Sequence, residues 1–257
     1  MISSENQGQA HKPVLVLQHQ RTDSPAYLAT WLRRHGVPFE VLCVQAGDRY
    51  PDNLQGYAAM AILGGEMSAN DDLPMLRQAE LLILQAVERG LPVIGHCLGG
   101  QLMARALGAR VGASPAPEVG WQPLQVFDNP QAQAWLGEPV QHQVVHWHYE
   151  AFDLPPGATL LAGSAACPHQ AFAIGPHLAM QFHIEADAPK LQLWSQEDSP
   201  RYREALHSHR ATVQSGLEMR NGINALMPEH HALADRIYGQ WLGGVAINSA
   251  SSRSSSP

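Results

Sequence analysis

Apolar positions along the first half of the chain alternate between short unbroken runs and stretches spaced at helical intervals. Val14–Gln18 (VLVLQ), 39–44 (FEVLCV), 58–63 (AAMAIL) and 91–95 (LPVIG) are runs of strand length, apolar on both faces. Between them lie helical signals. Ser24-Pro25 reads as a cap with proline at the first helical position, and Gly36 closes that helix behind Arg33-Arg34. Residues 73–89 carry Leu76, Leu81, Leu84 and Val87 as the predicted apolar face and end at Gly90, and 101–107 form the next helix. Strand–helix alternation of this kind builds a mostly parallel central sheet with helices on both faces, an α/β fold.

Beyond Gly112 the pattern changes. Short β-like pieces at 121–127, 144–147, 159–162, 171–174 and 179–182 are separated by Pro and Gly, which predicts hairpins or a mixed continuation of the sheet. Residues 200–243 read as amphipathic helix, broken near Asn221-Gly222 and Pro228. Residues 1–12 are polar and residues 244–257 Ser-rich, so both are expected to be disordered. Residues 13–243 are expected to form one domain with C-terminal helices.

Composition narrows the function. The 257 residues carry 16 Lys+Arg against 23 Asp+Glu, a net charge of −7, which disfavours nucleic acid or an anionic membrane as partner. Only Lys12 and Lys190 are lysines, and no phosphate-binding GxxxxGK[ST] occurs. No apolar run reaches a membrane span. The first dozen residues lack the apolar segment of a signal peptide, so the cytoplasm is the expected compartment. Three cysteines cannot form a paired framework.

One of those cysteines sits in an unusual frame. Residues 92–108 (PVIGHCLGGQLMARALG) run a strand straight into a helix through Gly95-His96-Cys97-Leu98-Gly99-Gly100-Gln101. This is a nucleophile elbow, with glycines where the neighbouring chain leaves no room for a Cβ. The helix points its N-terminal N–H groups and positive dipole end at the sulfur, and the Leu98 N–H is set to bind an oxyanion. Cys43, mid-strand, and Cys167, beside Pro168, read as ordinary buried or loop cysteines. A nucleophilic sulfur needs a base and the base an orienting group. His183 follows an apolar strand, and Glu185, two residues on, shares its face. His96, directly before Cys97, is read as a bystander.

The pair G-x-C-x-G-x-Q (95–101) and Q-F-H-x-E (181–185) resembles the class I glutamine amidotransferases, whose triad is Cys-His-Glu; Ile184 replaces the usual proline. Residues 62–71 (ILGGEMSAND) resemble the family's glycine oxyanion loop, in the form of free-standing members related to the amidotransferase domain of GMP synthase. Val119-Gly120-Trp121, His146-Trp147-His148 and 152–157 (FDLPPG) extend the likeness. The resemblance implies a flavodoxin-like fold. It also implies that Cys97 attacks the γ-carbonyl of glutamine or a γ-glutamyl compound, that Glu185 orients His183, and that the Gly65 and Leu98 N–H groups hold the oxyanion. Gly64, Gln101, Trp147 and Tyr149 are then expected to line the substrate site, with no cofactor and no metal.

Where the family commonly has histidine-glycine-aspartate at the substrate, this chain has His148-Tyr149-Glu150. A glutaminase-type hydrolase releasing ammonia and a γ-glutamyl peptidase therefore both stay open, as does a silent binding or regulatory module. Residues 186–257 lack the glycine-serine phosphate loop of a synthetase, so an ammonia acceptor is expected on a separate synthetase subunit, if there is one. His142, His146 and His148 alternate along a strand as metal ligands can, but no cysteine or acidic cluster completes a set. His207, His209, His230 and His231 are expected on solvated helix faces.

Overall fold

Residues 12–243 are described in the computed structural model of the chain. The segments 1–11 and 244–257, expected to be disordered, lie outside the described residues. Lys12 is described, and its Nζ donates to the Gln55 carbonyl at 2.8 Å.

The elements follow in the order β1 (Val14–Gln18), α1 (Ala26–Arg34), β2 (Phe39–Cys43), β3 (Ala59–Ile62), α2 (Pro74–Arg89), β4 (Val93–His96) and α3 (Leu98–Ala106). After these come β5 (Val111–Val126), α4 (Pro130–Leu136), β6 (Gln141–Phe152), β7 (Thr159–Gly163), β8 (Ala171–Ile174), β9 (His177–Met180), α5 (Ala188–Trp194), α6 (Pro200–Ser208) and α7 (Gly216–Leu242). Among the described residues, one nine-stranded sheet runs β2-β1-β3-β4-β9-β8-β7-β5-β6. Its first five strands are parallel and its remaining pairings antiparallel, so the α/β fold is flavodoxin-like on one side and a mixed continuation on the other.

Strand β1 shows why the central runs are apolar throughout. Val14 and Val16 face a core built with α1 and α7, while Leu15 and Leu17 face a second core built with α2 and α3. Both faces are covered, so the run is apolar up to its last position, Gln18, whose buried amide donates to the Gln20 carbonyl at 2.8 Å.

Several expectations need correction. Leu81 and Leu84 on α2 are 54% and 45% exposed, and the buried face is Leu76, Ala79, Leu82, Ile83 and Ala86. Ser24 does not cap α1; the helix starts after Pro25 with no side-chain cap, and the Ser24 carbonyl accepts from Lys190 Nζ at 2.9 Å. Helix α7 runs unbroken through Gly222 and Pro228. Ser215 and Glu218 form a capping box at its start, and buried Met219, Ile223, Met227, Leu233, Ile237 and Trp241 dock it along its length. Gly222 is no breaker there: a Cβ would stand 2.6 Å from Trp121 Cδ1, so it lets the indole pack on the helix. Strands β5 and β6 are also longer than their apolar segments suggested, and α4 and α5 were not foreseen.

Among the described residues, no helix is long and apolar enough to cross a membrane.

Candidate active site

Cys97 occupies the corner between β4 and α3, with φ 48 and ψ −107, a conformation L residues rarely adopt. Main-chain bonds clamp it there. Its N–H donates to the Met180 carbonyl of β9 at 2.8 Å, and its carbonyl accepts from Gln101 N at 2.9 Å. The glycines around it are sterically required. A Cβ on Gly95 would stand 2.6 Å from the Gly99 carbonyl carbon, and one on Gly100 2.5 Å from the Met180 carbonyl oxygen; at Gly99 it would collide with the Ile62 carbonyl. The strand, the corner and the helix are therefore packed backbone to backbone.

The sulfur itself is nearly buried, 5% exposed. Gln181 Nε2 lies 3.5 Å from it, and Cys97 Sγ lies 3.7 Å from the Trp147 carbonyl. The Gln181 amide is held in that orientation because its Oε1 accepts from Gln101 Nε2 at 3.3 Å. Gln101 also donates to the Glu150 carbonyl at 3.0 Å, so its amide braces the 147–150 segment of β6.

His183 lies three residues beyond β9. Its N–H donates to the Val145 carbonyl at 2.8 Å, and its carbonyl accepts from His230 Nε2 at 3.2 Å. Nδ1 stands 2.7 Å from Glu185 Oε1, and the Trp194 ring meets the imidazole edge-on with centroids 4.7 Å apart. Burial works against an imidazolium here, yet the Glu185 carboxylate and the Cys97 sulfur outweigh it and raise the imidazole from 6.5 to about 10. Burial likewise pushes the Glu185 carboxyl up, but Lys190, His183 and His96 together hold it well below its usual range.

The glycine loop after β3 closes the other side. A Cβ on Gly64 would stand 2.8 Å from His183 Cε1, and one on Gly65 3.0 Å from Leu98 Cδ2. Gly64, Gly65, Leu98, Cys97, His183 and Glu185 thus come together. Trp147 packs against Trp194 and Tyr202, and Tyr149 lies beneath the Arg201 guanidinium, 3.9 Å from ring centroid to Cζ. Glu150 Oε2 accepts from Ser68 Oγ of the glycine loop at 2.8 Å.

The histidines sort differently from expectation. His230 is buried, not solvated, and burial lowers it to about 3, leaving it neutral. His231 is half-buried and stacks on Tyr27 with centroids 3.6 Å apart. His96 is buried against the Ile62 carbonyl and the Tyr238 hydroxyl. His142 departs from its neighbours to meet Glu229, whereas His146 and His148 converge with Glu118 of β5. An acidic residue does therefore join two of the three histidines, brought across the strand pairing from 30 positions away. Its carboxylate already accepts from His148 Nε2 at 3.0 Å and Ser164 Oγ at 2.8 Å, and from Gln170 Nε2. This network ties the β6 segment that faces Cys97 to β5.

Sequence reasoning missed Asp23, Lys190 and Glu118, and gave Gln181 only as the first position of Q-F-H-x-E, without its contact to the sulfur. Lysine scarcity was the one available signal for Lys190.

The profile of the family Glutamine amidotransferase class-I matches residues 26–191. The glutamine amidotransferase-like protein YfeJ of Salmonella typhimurium is 32% identical over 192 residues, covering 70% of this chain and 80% of its own. A glutamine-hydrolysing GMP synthase of Aeropyrum pernix is 32% identical over 62% of this chain, which corresponds to 30% of that protein. Gamma-glutamyl peptidase 3 of Arabidopsis thaliana is 27% identical over 53% of this chain and 59% of its own length. A glutamine amido transferase structure from Methylobacillus flagellatus superposes with a TM-score of 0.85 at 33% identity, covering 92% of this chain and 96% of that one.

Proposed function

The chain belongs to the class-I glutamine amidotransferase family, and from that membership we propose that it hydrolyses the γ-amide of glutamine through a thioester on Cys97. The observation that carries this reading is the strained Cys97 corner next to a His183 imidazole that is bound to Glu185 at 2.7 Å.

In the proposed sequence the Cys97 sulfur attacks the γ-carbonyl carbon, and the carbonyl electron pair moves onto oxygen. The Gly65 and Leu98 N–H groups receive that oxyanion. Collapse breaks the C–N bond, and His183, charged in the resting site, gives its proton to the departing ammonia. The neutral imidazole then takes a proton from water as the hydroxyl adds to the thioester. Breakage of the C–S bond releases glutamate and returns the sulfur and the imidazolium to their starting state. Glu185 stabilises the imidazolium in both halves, and Gln181 steadies the sulfur by its hydrogen bond. Gly64, Gln101, Trp147 and Tyr149 form the surroundings of the substrate in this reading.

Two destinations for the ammonia are compatible with it, a separate synthetase subunit or solvent. A second substrate reading, cleavage of γ-glutamyl peptides, is favoured by Tyr149 and Glu150. A tyrosine packed under Arg201 and a glutamate tied to Ser68 replace the small and short residues usual at the substrate.

Comparing kcat/KM for glutamine with kcat/KM for a panel of γ-glutamyl dipeptides decides between them. The glutaminase reading expects glutamine to match or exceed the dipeptides. A dipeptide preference beyond about tenfold, about 1.4 kcal/mol of transition-state binding, replaces it with the peptidase reading. Turnover of neither, together with no labelling of Cys97 by a glutamine-like electrophile, removes both.

A further inference from the structure

Of the two lysines in the chain, one is buried against the carboxylate that holds His183. Lys190 is 4% exposed. Its position follows from local sequence: Asp187 caps α5 by accepting from Lys190 N at 2.9 Å, and Pro189 fits the first turn. The side chain turns back from there. Nζ lies 2.9 Å from Glu185 Oε1 and 2.9 Å from the Ser24 carbonyl, and it pairs with Asp23. The ammonium thus makes two hydrogen bonds and a further ion pair.

Stability alone is a poor reason for this arrangement. A cation in the first turn opposes the helix dipole, and a buried ion pair seldom outperforms well-packed apolar side chains. The contacts instead converge on the imidazole. Glu185 Oε1 receives both His183 Nδ1 and Lys190 Nζ, while Oε2 has no hydrogen-bond partner among the described residues. Without the lysine, one hydrogen bond would have to hold the carboxylate. Lys190 also sits over Trp194, 4.8 Å from the ring centroid, and Trp194 is the wall against His183. Asp23 and His183 in turn flank Gly64, since a Cβ there would strike both.

We propose that Lys190, anchored by Asp23, is a positioning residue that fixes Glu185 and Trp194 against His183. The working unit is then a four-member chain, Asp23–Lys190–Glu185–His183. This rests on the triad reading above and extends it by two residues.

The test uses the whole chain. Wild-type turnover of glutamine or a γ-glutamyl dipeptide, abolished in Cys97→Ala, is established first; if no substrate is turned over, the triad reading falls and the brace with it. The charge-balanced variant Lys190→Met/Asp23→Asn removes the brace without stranding a carboxylate pair. Its melting temperature is expected to stay within a few degrees of wild type and KM within threefold, with kcat down at least tenfold. The groups facing Glu185 are Lys190, His183, the Asp23 carboxylate from the loop before α1, His96 from β4, and His230 and Tyr238 from α7. With the ammonium gone, burial pushes the carboxyl up, so the acid limb of kcat/KM moves to higher pH by at least one unit. Lys190→Arg keeps the charge and is expected to retain at least a fifth of kcat and the wild-type acid limb.

A folded neutral pair with kcat within twofold and an unmoved limb overturns the brace alone, because the wild-type enzyme is active. So does a Lys190→Arg variant as impaired as the neutral pair. If the neutral pair does not fold, Asp23→Asn decides: kcat three- to tenfold lower at unchanged KM supports the brace, and kcat equal to wild type overturns it.

Discussion

Glu185 Oε1 lies 2.7 Å from His183 Nδ1 in a site where both residues are almost wholly buried. Against the effect of burial, the Glu185 carboxylate together with the Cys97 sulfur raises the imidazole from 6.5 to about 10. The unfolded histidine titrates near 6.5, so the raised imidazole stabilises the fold fully below that pH, while the Glu185 carboxylate stays ionised, and this is lost as pH climbs through about 10. The same charge state governs chemistry, because the imidazolium is the acid that protonates the leaving amine. The alkaline limb of kcat/KM is therefore expected near pH 10. In Glu185→Gln the burial remains and the larger of the two attractions is gone, leaving that of the Cys97 sulfur. The limb should fall by at least two units and kcat by about 100-fold. A pH–rate profile measures both, and a limb that stays near 10 in the variant would refute the assignment.

The backbone contacts at the elbow set a second expectation. A methyl on Gly100 would meet the Met180 carbonyl at 2.5 Å, between a helix and a central strand that cannot both retreat. Gly100→Ala should cost about 3 kcal/mol or more, the upper end of overpacking. Among the described residues nothing lies within 4 Å of a Cβ added to Gly112, and Gly112→Ala should lie within about 1 kcal/mol of wild type, on the stabilising side. Urea unfolding of the two variants checks the contrast.

How far the sequence could be read depended on which force decided each element. Strands buried on both faces announce themselves as apolar runs, and Val14–Gln18 and Ala171–Ile174 came out with the right bounds. The elbow was legible because its glycines cluster within six residues between a strand and a helix, although only Gly95 answers to a neighbour in sequence, Gly99 and Gly100 being crowded by Ile62 and Met180. On α2, leucine at 81 and 84 suggested the wrong stripe, since periodicity cannot say which of two apolar faces meets the sheet. Glu118 and Asp23 reach their partners only through strand pairing and helix return, so no local spacing could reveal them.

The α2 error gives its own measurement. Leu82 is fully buried and Leu84 is 45% exposed. Leu82→Ala is expected to cost about 2–5 kcal/mol and Leu84→Ala less than about 0.5 kcal/mol. Equal losses in thermal melts would mean that the exposed leucine is covered in solution.

Cys97 offers the sharpest separation of a chemical role from a structural one. At φ 48 and ψ −107 a side chain with a Cβ is strained by about 1–3 kcal/mol, whereas glycine enters that region freely. A cysteine kept for packing would be missed when removed. A cysteine kept for reactivity at a strained corner should leave a more stable protein when glycine replaces it. Glycine also loses about 0.5–1 kcal/mol through its freer unfolded state, so the net gain of Cys97→Gly over Cys97→Ala is expected to be about 1 kcal/mol. For a chain of this size that is about 2–4 °C in Tm. Both variants should be inactive toward glutamine and γ-glutamyl dipeptides. If Cys97→Gly instead melts below Cys97→Ala, the corner stores no strain, and the case for a nucleophile held there by the fold loses its physical basis.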